Sequence, residues 1–246
     1  MTFPWVNLTF HNDLQMLLKK SHEGKMVEYA LERRASLKDI IESQGIPHTE
    51  VAQILLKNIE LGFGFIPGGG EAIDILPFSE EISVFTSTLL RPQPICSLKF
   101  MVDINVQKLA RNLRLIGFDT TLVPVMRLVE IGNVATNQQR ILITRNRELL
   151  KCNTVIHGHL LRSENHVIQL QETVKLYKLK LHIKPFSRCM ACNGDLISVA
   201  KQDITHRLEP LTQKYFNTFK CCNDCEKIYW QGSHHKQMLQ LIAEVY

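Results

Sequence analysis

The chain has 246 residues, 45% hydrophobic and 22% charged, enough for one large domain or two to three small ones, and this excludes a wholly disordered chain. It holds no run of the ~18 apolar residues that a membrane helix needs, and its start, Met1-Thr2-Phe3-Pro4-Trp5, lacks the plan of a signal peptide, so a cytoplasmic protein without a membrane partner is expected. The net charge of +5 is uneven. Residues 1–96 carry 8 Lys/Arg against 12 Asp/Glu, residues 97–182 carry 13 against 6, and residues 183–246 carry 8 against 6. Basic charge concentrated in the middle third favours a polyanionic partner there, the alternative being a solvated basic face with no partner.

Strand patterns at 6–10, 26–30, 54–58 and 73–76 enclose one amphipathic helix, 36–45. That helix opens on the cap Ser36 with Asp39 three residues later, places Leu37, Ile40 and Ile41 on one face, and stops at Gly45. Two strands, a helix and two strands is the order of a β-grasp, expected over residues 1–78. Pro67-Gly68-Gly69-Gly70 reads as a turn, because no Lys-Ser/Thr follows to make a phosphate loop. Around Arg91-Pro92-Gln93-Pro94 the prolines disfavour regular structure, so residues 79–97 are the expected linker.

From residue 98 strands alternate with helices: a strand at 98–103 ending on Asp103, a helix with the stripe Val106, Leu109, Ala110 and Leu113, a strand at 120–123, a helix at 128–136, a strand at 140–144, a further strand at 154–157 and a helix at 167–178. This spacing implies a small parallel sheet over 98–182, α/β in class. The segment 183–246 has short strands at 196–200 and 228–230 and a helix at 236–245.

Cys189-Met190-Ala191-Cys192 and Cys222-Asn223-Asp224-Cys225 stand 29 residues apart. Four thiolates form a closed tetrahedral set that suits structural zinc and leaves no open position for water, the alternative being four buried thiols. Cys221 adjoins a ligand, but the two-residue spacing selects Cys222; Cys96 and Cys152 have no partner pattern. In a parallel sheet, ligands gather outside the carboxyl ends of the strands, where Asp103 and the pair Arg145-Asn146 fall. Asp119 precedes the second strand and Glu130 lies on the next helix. Such carboxylates either bind a hard cation or cap local turns. The histidine pairs His157/His159 and His234/His235 read as solvated before they read as ligands. Tyr229 and Trp230 offer either base-stacking faces or packing for a small core.

The elements Phe100-Met101-Val102-Asp103, Leu109-Ala110-Arg111, Leu113-Arg114-Leu115, Gly117-Phe118-Asp119-Thr120, Arg140-Ile141-Leu142-Ile143-Thr144-Arg145, Arg188-Cys189, Cys192-Asn193 and Cys222 through His234 together resemble the Mut-seven C-terminal RNase-domain proteins. The front, through Leu37-Lys38-Asp39-Ile40-Ile41-Glu42 and Gly45-Ile46-Pro47-His48, is similar to their ubiquitin-like, ThiS/MoaD-type β-grasp domain. The resemblance implies a PIN-like RNase domain at 98–182 and a zinc ribbon with a C-terminal helix at 183–246. It implies a hydrolase that cleaves RNA with Mg2+ or Mn2+ held by acids, of which Asp103 and Asp119 match positions here. Where the family has Leu-Thr-Arg-Asp this chain has Ile143-Thr144-Arg145-Asn146, and Leu128 stands where an acid opens the preceding helix unless Glu130 replaces it. Fewer carboxylates weaken cation binding.

The leading expectation is a metal-dependent ribonuclease with a structural Zn2+ ribbon, Asp103, Asp119, Glu130 and Asn146 at the catalytic site and Arg111, Arg114, Arg145 and Arg147 on RNA phosphates. The alternatives are an RNA-binding module without catalysis and an adaptor that recruits a protein partner through its acidic β-grasp. A sulfur-carrier role is not expected, since the β-grasp does not end in a free Gly-Gly.

Overall fold

The computed structural model describes residues 3–19, 26–78, 83–123 and 126–245; Met1, Thr2, residues 20–25, residues 79–82 at the head of the expected linker, residues 124–125 and Tyr246 lie outside the described residues. The front of the chain contains β1 (Trp5–Phe10), β2 (Val27–Ala30), α1 (Leu37–Ser43), β3 (Val51–Leu56), β4 (Ile59–Glu60) and β5 (Ala72–Pro77). These strands form one sheet in the order β2-β1-β5-β3-β4, with β1 antiparallel to β2 and parallel to β5, which is the β-grasp arrangement. Alternation along β1 buries Val6, Leu8 and Phe10, and the stripe of α1 buries Leu37, Ile40 and Ile41. The helix begins in a capping box: Asp39 N–H donates to Ser36 Oγ at 3.2 Å while Ser36 N–H donates to the Asp39 carboxylate. The third strand begins and ends earlier than the expected 54–58, because Lys57 and Asn58, at φ 49° and 67°, make a left-handed two-residue turn into β4. The glycine turn before β5 is held by Glu71, whose carboxylate accepts from Gly68 N–H and Gly69 N–H at 2.7 and 2.8 Å.

Past the front sheet lie β6 (Lys99–Val102), a 3-10 turn (Ile104–Val106), α2 (Gln107–Leu115), β7 (Asp119–Leu122), α3 (Leu128–Asn137), β8 (Ile141–Thr144), α4 (Arg147–Leu150), β9 (Gly158–Leu160) and α5 (His166–Leu176). These central strands pair in parallel, β6 with β7 and β8 with β9, as the alternation predicts. The last of them corrects the expected strand at 154–157. Val155 N–H closes a turn onto Cys152 O at 2.9 Å, so pairing starts only at Gly158, opposite Leu142. The chain ends with β10 (Leu196–Val199), α6 (Lys201–Ile204), α7 (Pro210–Tyr215), β11 (Phe219–Cys222), β12 (Ile228–Trp230) and α8 (His235–Ala243). Here β10, β11 and β12 form an antiparallel ribbon over a small core of Ile204, Leu208 and Phe219. Among the described residues no helix is long and apolar enough to cross a membrane.

The described residues form two compact units: those up to Ser97 with those of 126–161, and Leu98–Val123 with the chain from Arg162 onward. The first unit is joined internally by buried polar groups. Glu50, 6% exposed, accepts from Leu160 N–H at 2.8 Å; His48 Nε2 bonds Val155 O at 2.8 Å; Arg91 donates to Val51 O and Thr49 O, both at 2.8 Å. Buried charge is retained only where it is bonded this way, so the segment around Arg91 and the β8–β9 segment are both fixed to the β-grasp.

Candidate metal centre and nucleic-acid interface

All features of the site considered first lie in the second unit. The two Cys-x-x-Cys segments fold into equivalent knuckles. In the first, Cys189 N–H donates to Gly194 O at 2.7 Å and Cys189 O accepts from Asn193 N–H at 2.9 Å; in the second, Cys222 N–H donates to Lys227 O and Cys222 O accepts from Glu226 N–H, both at 3.0 Å. Asn193 and Glu226 occupy the same place in each turn and both have left-handed backbone, φ 79° and 56°.

The four sulfurs lie within 4.8 Å of one another, with Cys189–Cys225 at 3.6 Å and Cys192–Cys222 at 3.3 Å. A tetrahedron with Zn–S bonds of ~2.3 Å has edges of about 3.8 Å, so the set fits the ion. Main-chain N–H groups point at the sulfurs, Gly194 at Cys192 and Asp224 at Cys222, both at 3.4 Å, and the Tyr229 hydroxyl is 3.0 Å from Cys189 Sγ. Burial raises the Cys189 thiol, but the Tyr229 hydroxyl and the Cys192 and Ala191 amides outweigh it and bring it to about 6. Desolvation, with the facing sulfurs, pushes Cys192 up to about 12. Four sulfurs this close ionise together only around a cation. Such a site is closed and supports the fold; zinc would supply cross-linking here, without an open position for water. Cys221 Sγ turns instead to Glu226 O, 3.4 Å away, as the strand alternation of β11 requires.

The first knuckle is bolted to α2 and β7 by residues expected to serve chemistry. Arg114 is 5% exposed; its Nε donates to Thr120 O at 2.8 Å and its Nη1 to Met190 O and Ala191 O at 3.2 and 2.9 Å. These bonds give the Arg114 guanidinium a structural role at the joint, and the residue also lines the smaller of the two clefts that Arg111 lines. Burial lowers its pKa, and the sulfurs of Cys192 and Cys189 and the Asp119 carboxylate act against that. Asn193 bridges the same joint: its Oδ1 accepts from Thr120 N–H and its Nδ2 donates to Asp119 Oδ1, both at 2.8 Å. The Gly117-Phe118-Asp119-Thr120 and Cys192-Asn193 elements therefore meet each other.

Asp119 and Asp103 do not form one cation site. The parallel register sets Asp119 beside Lys99 and Leu122 beside Val102, so Asp103 lies roughly 13 Å further along the strands, at ~3.3 Å per residue. Two ions ~4 Å apart, each with an oxygen ligand at ~2.1 Å, span about 8 Å, less than this offset. Asp103, 7% exposed, accepts from Asn105 N–H at 3.1 Å and caps the turn after β6. In the first unit, Glu130 turns back on the start of α3, accepting from Arg127 N–H at 3.1 Å. Asn146 caps α4, accepting from Glu148 N–H at 3.0 Å, and Leu128 is exposed at the start of α3. Arg147 donates to Leu17 O at 2.8 Å, and Arg145 is exposed. The histidines disperse: His157 bonds Gln93 O, His159 lies 3.4 Å from Glu50, and His235 stacks on Phe186.

Arg111 stays exposed on α2 and lines two adjoining clefts of about 620 and 250 Å3. Lys108, His166 and His234 line the larger and Lys227 the smaller, and Met190 of the knuckle lines both. Lys108, Met190, Asn193 and Lys227 were not among the site residues expected from sequence. For Asn193 a usable signal was its place directly after a paired cysteine, where a left-handed residue is needed.

These features define an α/β protein that pairs a β-grasp with parallel-strand segments and a four-cysteine ribbon carrying a basic cleft. The chain belongs to the Mut7-C RNAse domain family: the family's sequence model matches residues 98–242, and that of the Mut7-C ubiquitin domain matches residues 3–83. No curated protein and no solved structure matches the chain.

Proposed function

We propose that this chain is an RNA-directed protein that engages the phosphate backbone along α2 and the first knuckle, with zinc holding the knuckle in place. The observation that carries the reading is the cleft opening on Lys108 and Arg111, with Lys227 beside it, in a chain whose middle third holds its excess of basic charge. Membership of a nuclease-like family supports RNA as the polyanion. The reading rests on Lys108 and Arg111 and not on Arg114 or Arg147, each of which already donates to main-chain carbonyls; Arg145, exposed in the first unit, is a separate candidate contact. A reducing, cytoplasmic setting suits the four thiols.

The test is RNA affinity as a function of salt. Lys108→Ala with Arg111→Ala should weaken binding and flatten the log–log slope by roughly 0.7 per lost single-strand contact. An unchanged slope would remove α2 from the interface.

Metal-dependent RNA cleavage is a second reading, favoured by Asp103, a carboxylate at the carboxyl end of β6. Cleavage in Mg2+ or Mn2+ that disappears in Asp103→Asn would establish it. Equal behaviour of the two proteins, with binding retained, would leave a binding module. For the β-grasp, whose part of the chain is net acidic and whose strands expose Trp5 and Ile59, a protein partner is the favoured ligand.

A further inference from the structure

The ribbon carries another concavity, of about 240 Å3, that backbone contact does not use. Its walls are rings and thioethers: Trp230 of β12, Phe186, His235, Met190 and Met238. The Phe186 and His235 rings already stack, 4.9 Å apart and 21° from parallel. Trp230 is 41% exposed, so its ring is open to solvent. Lys220 adds positive charge at the pocket, its Nζ steadied by donating to Phe186 O at 2.7 Å; Arg188 also lines it, 3.6 Å from the Asp195 carboxylate. The volume falls below the ~300–1,000 Å3 of sites for drug-sized ligands and suits a single planar heterocycle. The recess also adjoins the basic cleft, because Met190, Leu115 and Met238 line both.

We propose that this recess takes one unpaired base of a single-stranded RNA whose phosphates run along Lys108 and Arg111. The proposal rests on the RNA reading above and specifies its substrate: single strands rather than duplexes. In a duplex the bases are stacked on one another and offer no free face, whereas an unpaired base can leave the strand and stack on aromatic side chains. Aromatic walls with cationic neighbours accept any base, so the expected selectivity is for the unpaired state more than for sequence.

The experiment uses the full zinc-loaded chain and measures anisotropy of four labelled probes: a single-stranded oligoribonucleotide, the same strand with abasic sites, its duplex, and a nucleoside monophosphate. The expected result is that the intact single strand binds about 5- to 150-fold more tightly than the abasic strand, equivalent to ~1–3 kcal/mol per stacked base. Trp230→Leu, with zinc content unchanged, should erase that ratio, whereas Arg111→Ala should weaken both strands and leave the ratio intact. As an independent readout in a Trp5→Phe background, the emission of Trp230 should be quenched by the intact strand and not by the abasic one. Equal, salt-dependent affinity for intact and abasic strands overturns the base pocket while leaving RNA binding standing. Salt-independent or absent binding of every strand overturns both. A monophosphate that binds as tightly as the strand overturns the assignment to RNA.

Discussion

Replacing Arg114 by Leu separates the structural role found for this residue from the phosphate contact its charge suggests. The substitution keeps an apolar stem but removes three N–H···O bonds, leaving Thr120 O without its donor at a residue that is fully buried, and Met190 O and Ala191 O without theirs at the more open edge of the knuckle. An unsatisfied buried carbonyl costs ~1–3 kcal/mol, and each bond that water can replace contributes ~0.5–1.5 kcal/mol, giving an expected loss of about 2–6 kcal/mol. For a chain of this size that corresponds to a fall in Tm of roughly 4–24 °C. A zinc–tetrathiolate cluster carries net negative charge, so loss of the neighbouring cation should also speed zinc release to a chelator. Thermal unfolding and chelator-monitored zinc release, run beside the exposed Arg111→Leu, test both parts. Arg111→Leu should change stability by less than ~0.5 kcal/mol. If Arg114→Leu matched it in Tm and in zinc release, the clamp would be wrong.

Other expectations concern single joints of the fold. Cys192→Ser should lower bound zinc below one ion per chain and loosen the ribbon amides in hydrogen exchange; unchanged metal content would sink the site. Gly117→Ala places a side chain at φ +102° and against Lys184 O and Ser187 Oγ, so it should destabilise by at least about 1–2 kcal/mol and lower Tm accordingly. A wild-type Tm would show that the neighbouring segment moves aside freely. Glu50→Ala removes the acceptor of Leu160 N–H, so exchange at the Leu160 amide should accelerate well beyond that of the front sheet. Equal protection in both proteins would argue against the buried carboxylate as the tie.

Much of the local structure was legible because short-range physics decides it. Ser36 and Asp39 satisfy the first N–H groups of α1 whatever surrounds them, and the stripe Leu109, Ala110, Leu113 buries as its period requires. The stripe reading puts Lys108, Arg111 and Arg114 on other faces, which the structure corrects for Arg114: it stands four residues after Ala110 and shares its buried face. Asp119 held an unread signal, since a residue that opens a strand lies at the end opposite to the one where ligands collect. The strand expected at 154–157 moved to Gly158–Leu160 because Val155 is taken by a turn and by His48, a partner 107 residues away.

The sequence by itself determined the order of elements, the β-grasp and the four-thiol set, because periodicity, caps and Cys-x-x-Cys spacing act within a few residues. Only the tertiary structure decided what the charged residues do. A guanidinium or carboxylate can serve chemistry, cap a helix or satisfy a distant carbonyl, and the choice depends on which main-chain groups lie within ~3 Å once the chain is folded. For Arg114 those groups belong to Thr120, Met190 and Ala191, whereas Asp119 accepts from a side chain, the Asn193 amide. Arg111, three residues before Arg114 on the same helix, faces the open cleft.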